Sequence, residues 1–167
     1  MSAKRVLLVG GIGVALLGMT YGLWYAVFAE HQALDGIGAS LTAGLTSAAQ
    51  RDQAKSAEAL QRYRVAKYKY ERQVDAHSHW LGLAMVLIVV GIGIDYVRLS
   101  RKQKLFLSWG LLIGSVLFPL SVLLQTVSAG PDPKILAVLG SALVILALLG
   151  AIVGVLQARC CVTFNTR

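Results

Sequence analysis

Three histidines and the carboxylates around them are the side chains of this 167-residue chain best suited to hold a metal ion or move a proton. Two of the histidines sit together in Asp75-Ala-His77-Ser-His79-Trp80, and the third opens His31-Gln-Ala-Leu-Asp35. Residues four apart share a helix face, so His31 pairs with Asp35 and Asp75 with His79. Brought together with Glu30 nearby, two imidazoles and one or two carboxylates suit zinc, copper, iron or manganese; a carboxylate can instead orient its histidine. Two histidines facing each other from neighbouring helices would also serve as axial ligands of a b-type heme. The candidate metal set is therefore His31, Asp35, Asp75 and His79, and the candidate cofactor ligands are His31, His77 and His79. His77 and His79 point about 200° apart on a helix, so both serve one site only if the helix unwinds there. Helix capping, ion pairing and contact with a partner protein are the competing uses. No His-Glu-x-x-His, Cys-x-x-Cys or Glu-x-x-His pattern is present.

The elements that must position these residues are membrane spans. Hydrophobic residues make up 56% and charged residues 14% of the chain, against about 25% charged in soluble domains. Four apolar runs stand out, Val6–Ala29, Trp80–Val97, Leu105–Val127 and Ile135–Leu156. Each is close to the ~20 residues that a helix needs to cross a ~30 Å hydrocarbon core. The expected fold is all-α and integral to the membrane, a four-transmembrane-helix bundle forming a single domain. All three histidines then fall at one membrane face. The first span also carries the basic start and the Val27-Phe28-Ala29 ending of a signal peptide. Its apolar run exceeds the about 7–15 residues of a typical signal core, so a retained helix is expected.

A formal charge of +8 raises the question of nucleic acid, but no basic domain gathers that charge, and nucleic acid is not an expected partner. The charge instead orients the spans. Lys4 and Arg5 precede the first span, Arg98, Arg101, Lys102 and Lys104 fill the loop between the second and third, and Arg159 and Arg167 follow the fourth. All three clusters fall on one side, which the positive-inside rule makes cytoplasmic, together with both termini. The segment from Glu30 to His79 and the turn Gly130-Pro-Asp-Pro-Lys134 are then extracytoplasmic. Cys160 and Cys161 lie on the cytoplasmic side, where two reduced thiols are expected rather than a strained vicinal disulfide.

Within the spans, Gly18-Met-Thr-Tyr-Gly22 and Gly150-Ala-Ile-Val-Gly154 have the small-x-x-x-small spacing that lets helices approach closely. Trp24, Tyr25, Phe28 and Trp80 read as an interfacial aromatic belt. Between the first two spans, a bend is expected at Gly36-Ile-Gly38, followed by one helix over Thr46–Val74, which contains no glycine or proline. Its tyrosines, Tyr63, Tyr68 and Tyr70, interleave with Arg62, Arg64, Lys67, Lys69 and Arg72. That pattern suits lipid headgroups or an extracytoplasmic partner, and equally a solvated helix continuous with the second span. Asp95 is expected to pair with Arg98 three residues on, and Pro119 to kink the third span and free the Ser115 carbonyl.

His77-Ser-His79-Trp-Leu-Gly82, opening an apolar helix, resembles the His-x-His-x-x-Gly pattern of small four-helix membrane proteins related to the large subunit of heme-copper oxidases and nitric oxide reductases. The resemblance covers the second span alone. It implies that His77 or His79 ligates heme or copper in an electron-transfer complex of a bacterial inner membrane. The long polar segment is an addition to that pattern, and only His31 remains toward a binuclear centre, so the resemblance implies no independent oxidase.

The chain also lacks a nucleophile–base pair, a phosphate-binding glycine loop and the mid-membrane polar lining of a transporter. The expected function is an accessory subunit of a larger membrane complex, respiratory by the resemblance, with a His/Asp metal or heme site at its extracytoplasmic face. The alternative is a purely structural subunit that docks a partner through the extracytoplasmic helix.

Overall fold

The structure, a computed structural model, describes residues 2–128 and 130–164, with side chains through Gln157. It contains five α-helices in the order α1 (Ala3–Phe28), α2 (Glu30–Ala49), α3 (Gln53–Gly93), α4 (Arg101–Leu124) and α5 (Asp132–Phe164), with a 3₁₀ turn at Ile94–Tyr96 after α3. Four of them, α1, α3, α4 and α5, are long and apolar enough to cross a membrane.

Residues 3–93 form one long antiparallel hairpin. α1 and α2 are separated by Ala29 alone, whose N–H still bonds the Tyr25 carbonyl at 2.9 Å and whose carbonyl accepts from Ala33 at 3.1 Å. Both helices run back along α3, which is unbroken for 41 residues. At about 1.5 Å per residue α3 is roughly 60 Å long, twice a hydrocarbon core of about 30 Å. Its apolar second half packs on α1, and its polar first half packs on α2.

Two expectations for the connecting segment are corrected. The glycines of Gly36-Ile-Gly38 do not bend the chain, because packing of α2 against α3 outweighs the roughly 1 kcal/mol that each costs in a helix. Nor is Thr46–Val74 one helix: Thr46–Ala49 close α2, and α3 starts at Gln53. The reversal is a Schellman motif. The Asp52 N–H bonds the Ser47 carbonyl at 2.9 Å, the Arg51 N–H bonds the Ala48 carbonyl at 3.0 Å, and Arg51 adopts the left-handed conformation with φ 59°. Asp52 then caps α3, its carboxylate accepting from the Lys55 N–H at 3.1 Å.

The core lies where α1, α3 and α4 meet, around Leu7, Val14, Ala84, Leu87, Ile94 and Leu111. α5 adds Val144 and Ala147 to that core and packs mainly on α4, with a smaller contact at the 3₁₀ turn. It is the least buried of the four apolar helices, so the arrangement is a three-helix core with α5 stacked on α4 rather than a closed four-helix bundle. Small residues set the spacings: a Cβ on Gly11 would press on Ala84, Leu87 and Ile88 of α3, and one on Gly140 of α5 would strike the Phe118 backbone of α4. α4 starts at a capping box, with Ser100 and Gln103 exchanging side-chain and backbone bonds, and stays helical through Pro119. The Gly150–Gly154 pair of α5 receives side chains, Leu107 at the first glycine and Val97 and Leu99 at the second.

Candidate functional site

The histidines sit where the apolar and polar halves of the hairpin join. His77 faces α1: its ring lies against Gly22, where a Cβ would overlap it, and its Nδ1 lies 2.9 Å from the Gly18 carbonyl. A carbonyl only accepts, so Nδ1 carries the proton and donates. Gly18 in turn leaves room for Trp80 and Leu81. The Gly18-x-x-x-Gly22 pair thus has an identified partner, the His77–Leu81 turn of α3. Trp80 is buried and meets Tyr21 edge to face at 5.4 Å, and Tyr21 stacks on Tyr25 at 6.3 Å. Tyr25 tilts onto Tyr70 at 6.4 Å, and the Tyr70 hydroxyl donates to Glu30 at 3.4 Å. Of the aromatic belt expected from sequence, Tyr25 and Trp80 are turned inward and join α1 to α3, while Trp24 and Phe28 stay exposed on α1.

His79 faces the other way. Its Nδ1 donates to its own helix, at the Asp75 carbonyl 2.6 Å away, and its ring meets Phe118 of α4 edge to face at 4.9 Å. The expected side-chain pairing of Asp75 with His79 is replaced by this backbone bond, and the Asp75 carboxylate lies 3.6 Å from Arg72 instead. The reason is rotational. Arg72 is three residues before Asp75 on the same face, while Phe118 holds the His79 ring toward α4. The first pairing does form: His31 Nε2 is 3.5 Å from the Asp35 carboxylate, with both side chains largely exposed on α2.

The structure therefore assigns His31 and Asp35 to the outer surface of α2, His77 to the α1 interface and His79 to the α4 interface. Among the described residues, no three His, Cys, Asp or Glu side chains converge as a ligand set. Because Nδ1 is occupied in both His77 and His79, Nε2 is the nitrogen each has left for a proton or a ligand. The side chains of Cys160 and Cys161 lie outside the described residues.

At the opposite end of the helices is a polar grouping that the sequence had suggested only as an orientation signal. The expected Asp95–Arg98 pair does not form, because the α-helix ends at Gly93 and Val97 is extended, which takes the two residues off a common face. Asp95 pairs instead with Lys4 of α1 at 2.8 Å, and Lys104 of α4 reaches the Asp95 carbonyl at 3.4 Å. The basic clusters before the first span and between the second and third are thus neighbours in space. Their shared sign, and the one membrane side expected for both, were the available signal.

Compared with family models, curated proteins and solved structures, the chain matches none.

Proposed function

We propose that this protein is an integral inner-membrane subunit of a larger complex, crossing the bilayer with α1, α3, α4 and α5, with both termini cytoplasmic. In this reading, it holds a partner subunit through the α2/α3 hairpin on the extracytoplasmic side. One observation carries the reading. On α2, Leu34, Leu41 and Leu45 are 46%, 39% and 66% exposed and lie on one helix stripe, spaced by seven and four residues. Exposed leucines on α1, α4 and α5 have lipid to meet, whereas those on a hairpin outside the hydrocarbon have water. An apolar stripe in that position suits a helix of a neighbouring subunit packing alongside α2. The histidines then serve packing and pairing: His77 locks α3 to α1, His79 braces α3 on α4, and His31 pairs with Asp35 beside the leucine stripe.

The test is the size of the assembly extracted from the native membrane in mild detergent. The wild-type chain is expected in a complex larger than its own monomer or dimer. The triple variant Leu34→Ser, Leu41→Ser, Leu45→Ser should be released from it while its spans stay inserted. Retention of the variant in the complex would remove the hairpin as the docking element. Metal analysis of the same preparation separates this reading from a cofactor site. Stoichiometric iron, copper or zinc that disappears on His79→Ala or His31→Ala would replace it with a heme or metal function at the histidines.

A further inference from the structure

At the end of the helices away from the hairpin, α1, the 3₁₀ turn and the start of α4 enclose a cleft of about 320 Å³. Lys4, Arg101 and Lys104 line it, with Asp95 as the one carboxylate and Ser2 and Leu99 at its edges. Asp95 offsets one of the three cations through its 2.8 Å pair with Lys4. Two positive charges are left over, and the N-terminal ends of α1 and α4, both opening here, add partial positive charge. Beside the cleft runs a second depression of about 460 Å³ between α4 and α5, walled by Leu107, Phe106, Gly150 and Val153 with Lys102 at its rim. Leu99 belongs to both linings, so a cationic cleft and an apolar groove meet at one residue.

We infer that this paired cleft and groove form a binding site for one anionic glycerophospholipid, with its phosphate among Lys4, Arg101 and Lys104 and an acyl chain along the α4/α5 groove. Charge complementarity selects the anion, since a zwitterionic lipid would bring a further cation to a cleft that already has an excess of two. The apolar continuation selects a lipid over a free phosphate. The inference rests on the four-span reading of the chain and is independent of what the hairpin docks.

The test uses the full-length protein in detergent with added phosphatidylglycerol, phosphatidylcholine or inorganic phosphate, reading bound lipid by native mass spectrometry and the thermal midpoint in parallel. Phosphatidylglycerol should be retained and should raise the midpoint above that with phosphatidylcholine. The double variant Arg101→Gln, Lys104→Gln should weaken its binding by roughly 25-fold, since each basic side chain near an anionic surface counts for about a factor of five. Arg5→Gln removes one charge at the same end from a residue outside the cleft and should keep the preference. Val153→Trp, at an exposed wall of the groove, should reduce occupancy with every cation in place, which covers the case in which the double variant does not fold. Equal occupancy of the two lipids, or equal loss in Arg5→Gln, would overturn the site in favour of diffuse surface charge. An equal rise in midpoint with inorganic phosphate alone would overturn the lipid and leave a soluble anion site.

Discussion

A single methyl group at Gly22 would occupy space that the His77 ring already fills. Gly22→Ala should therefore force α1 and α3 apart or turn the imidazole off the Gly18 carbonyl, at a cost of about 1–3 kcal/mol, as overpacking generally does. The double variant Gly22→Ala, His77→Ala should recover part of that loss, because the added methyl then has the vacated ring space. Thermal unfolding of the three proteins in detergent reads the coupling. A double variant less stable than Gly22→Ala alone would mean that the imidazole contributes more through its hydrogen bond than through its fit. At this scale the sequence was only half informative. The two glycines and the histidine are visible as types, and helical spacing shows that His77 and His79 diverge. Which neighbouring helix each one meets depends on the rotation of α3, and no local pattern encodes that.

The reversal between α2 and α3 shows what composition hides at the scale of elements. Ala flanks Gln50-Arg51-Asp52 on both sides and Gln, Lys and Arg follow it, so helix propensity runs across a turn that contains neither glycine nor proline. The left-handed position is held by Arg51, where a β-carbon is disfavoured, and packing of α2 on α3 must compensate. The one sequence signal was Asp52, a good N-cap residue, masked by its favourable surroundings. Hydrogen bonds from the Lys55 side chain and backbone hold the Asp52 carboxyl below the ordinary aspartate range. A carboxyl with a depressed folded-state pKa stabilises the fold at neutral pH and loses that contribution as the pH falls from about 4 through the lowered value. Hydrogen-exchange protection at the first turn of α3, taken relative to the intrinsic rate at each pH, should accordingly fall in that acidic window in the wild type. In Asp52→Ala it should be low already at neutral pH, with no comparable acid step. Equal protection in both proteins would show that the cap does not hold the turn.

Across the whole molecule, contacts between helices are set by where a side chain is missing. Gly140→Val should disrupt the α4/α5 pair, since its β-carbon would meet the Phe118 backbone, which cannot rotate away. Gly110→Ala, where nothing lies within 4 Å, should be neutral or slightly stabilising through helix propensity. Comparing the thermal midpoints of the two variants checks the packing, and an equal loss in both would contradict it. The four apolar stretches are legible in the sequence because crossing hydrocarbon requires a long uninterrupted run. α1 nevertheless ends at Phe28 and α4 at Leu124, where the apolar runs reach Ala29 and Val127. The stacking of α5 on α4 was not legible, since the apolar composition of α5 suits either a closed bundle or an outer position facing lipid.

No glycine or proline interrupts α3 between Gln53 and Leu81, so in the proposed four-span arrangement the rod that rises from the bilayer is the same rod that crosses it. It has no joint at the water boundary. In that arrangement the hairpin is a spacer of fixed height, its tip roughly 40 Å above His79 by the rise of the intervening residues. Any load on that tip passes down a stiff lever into the interface between α1 and α3, where glycines and interlocked rings oppose its tilt.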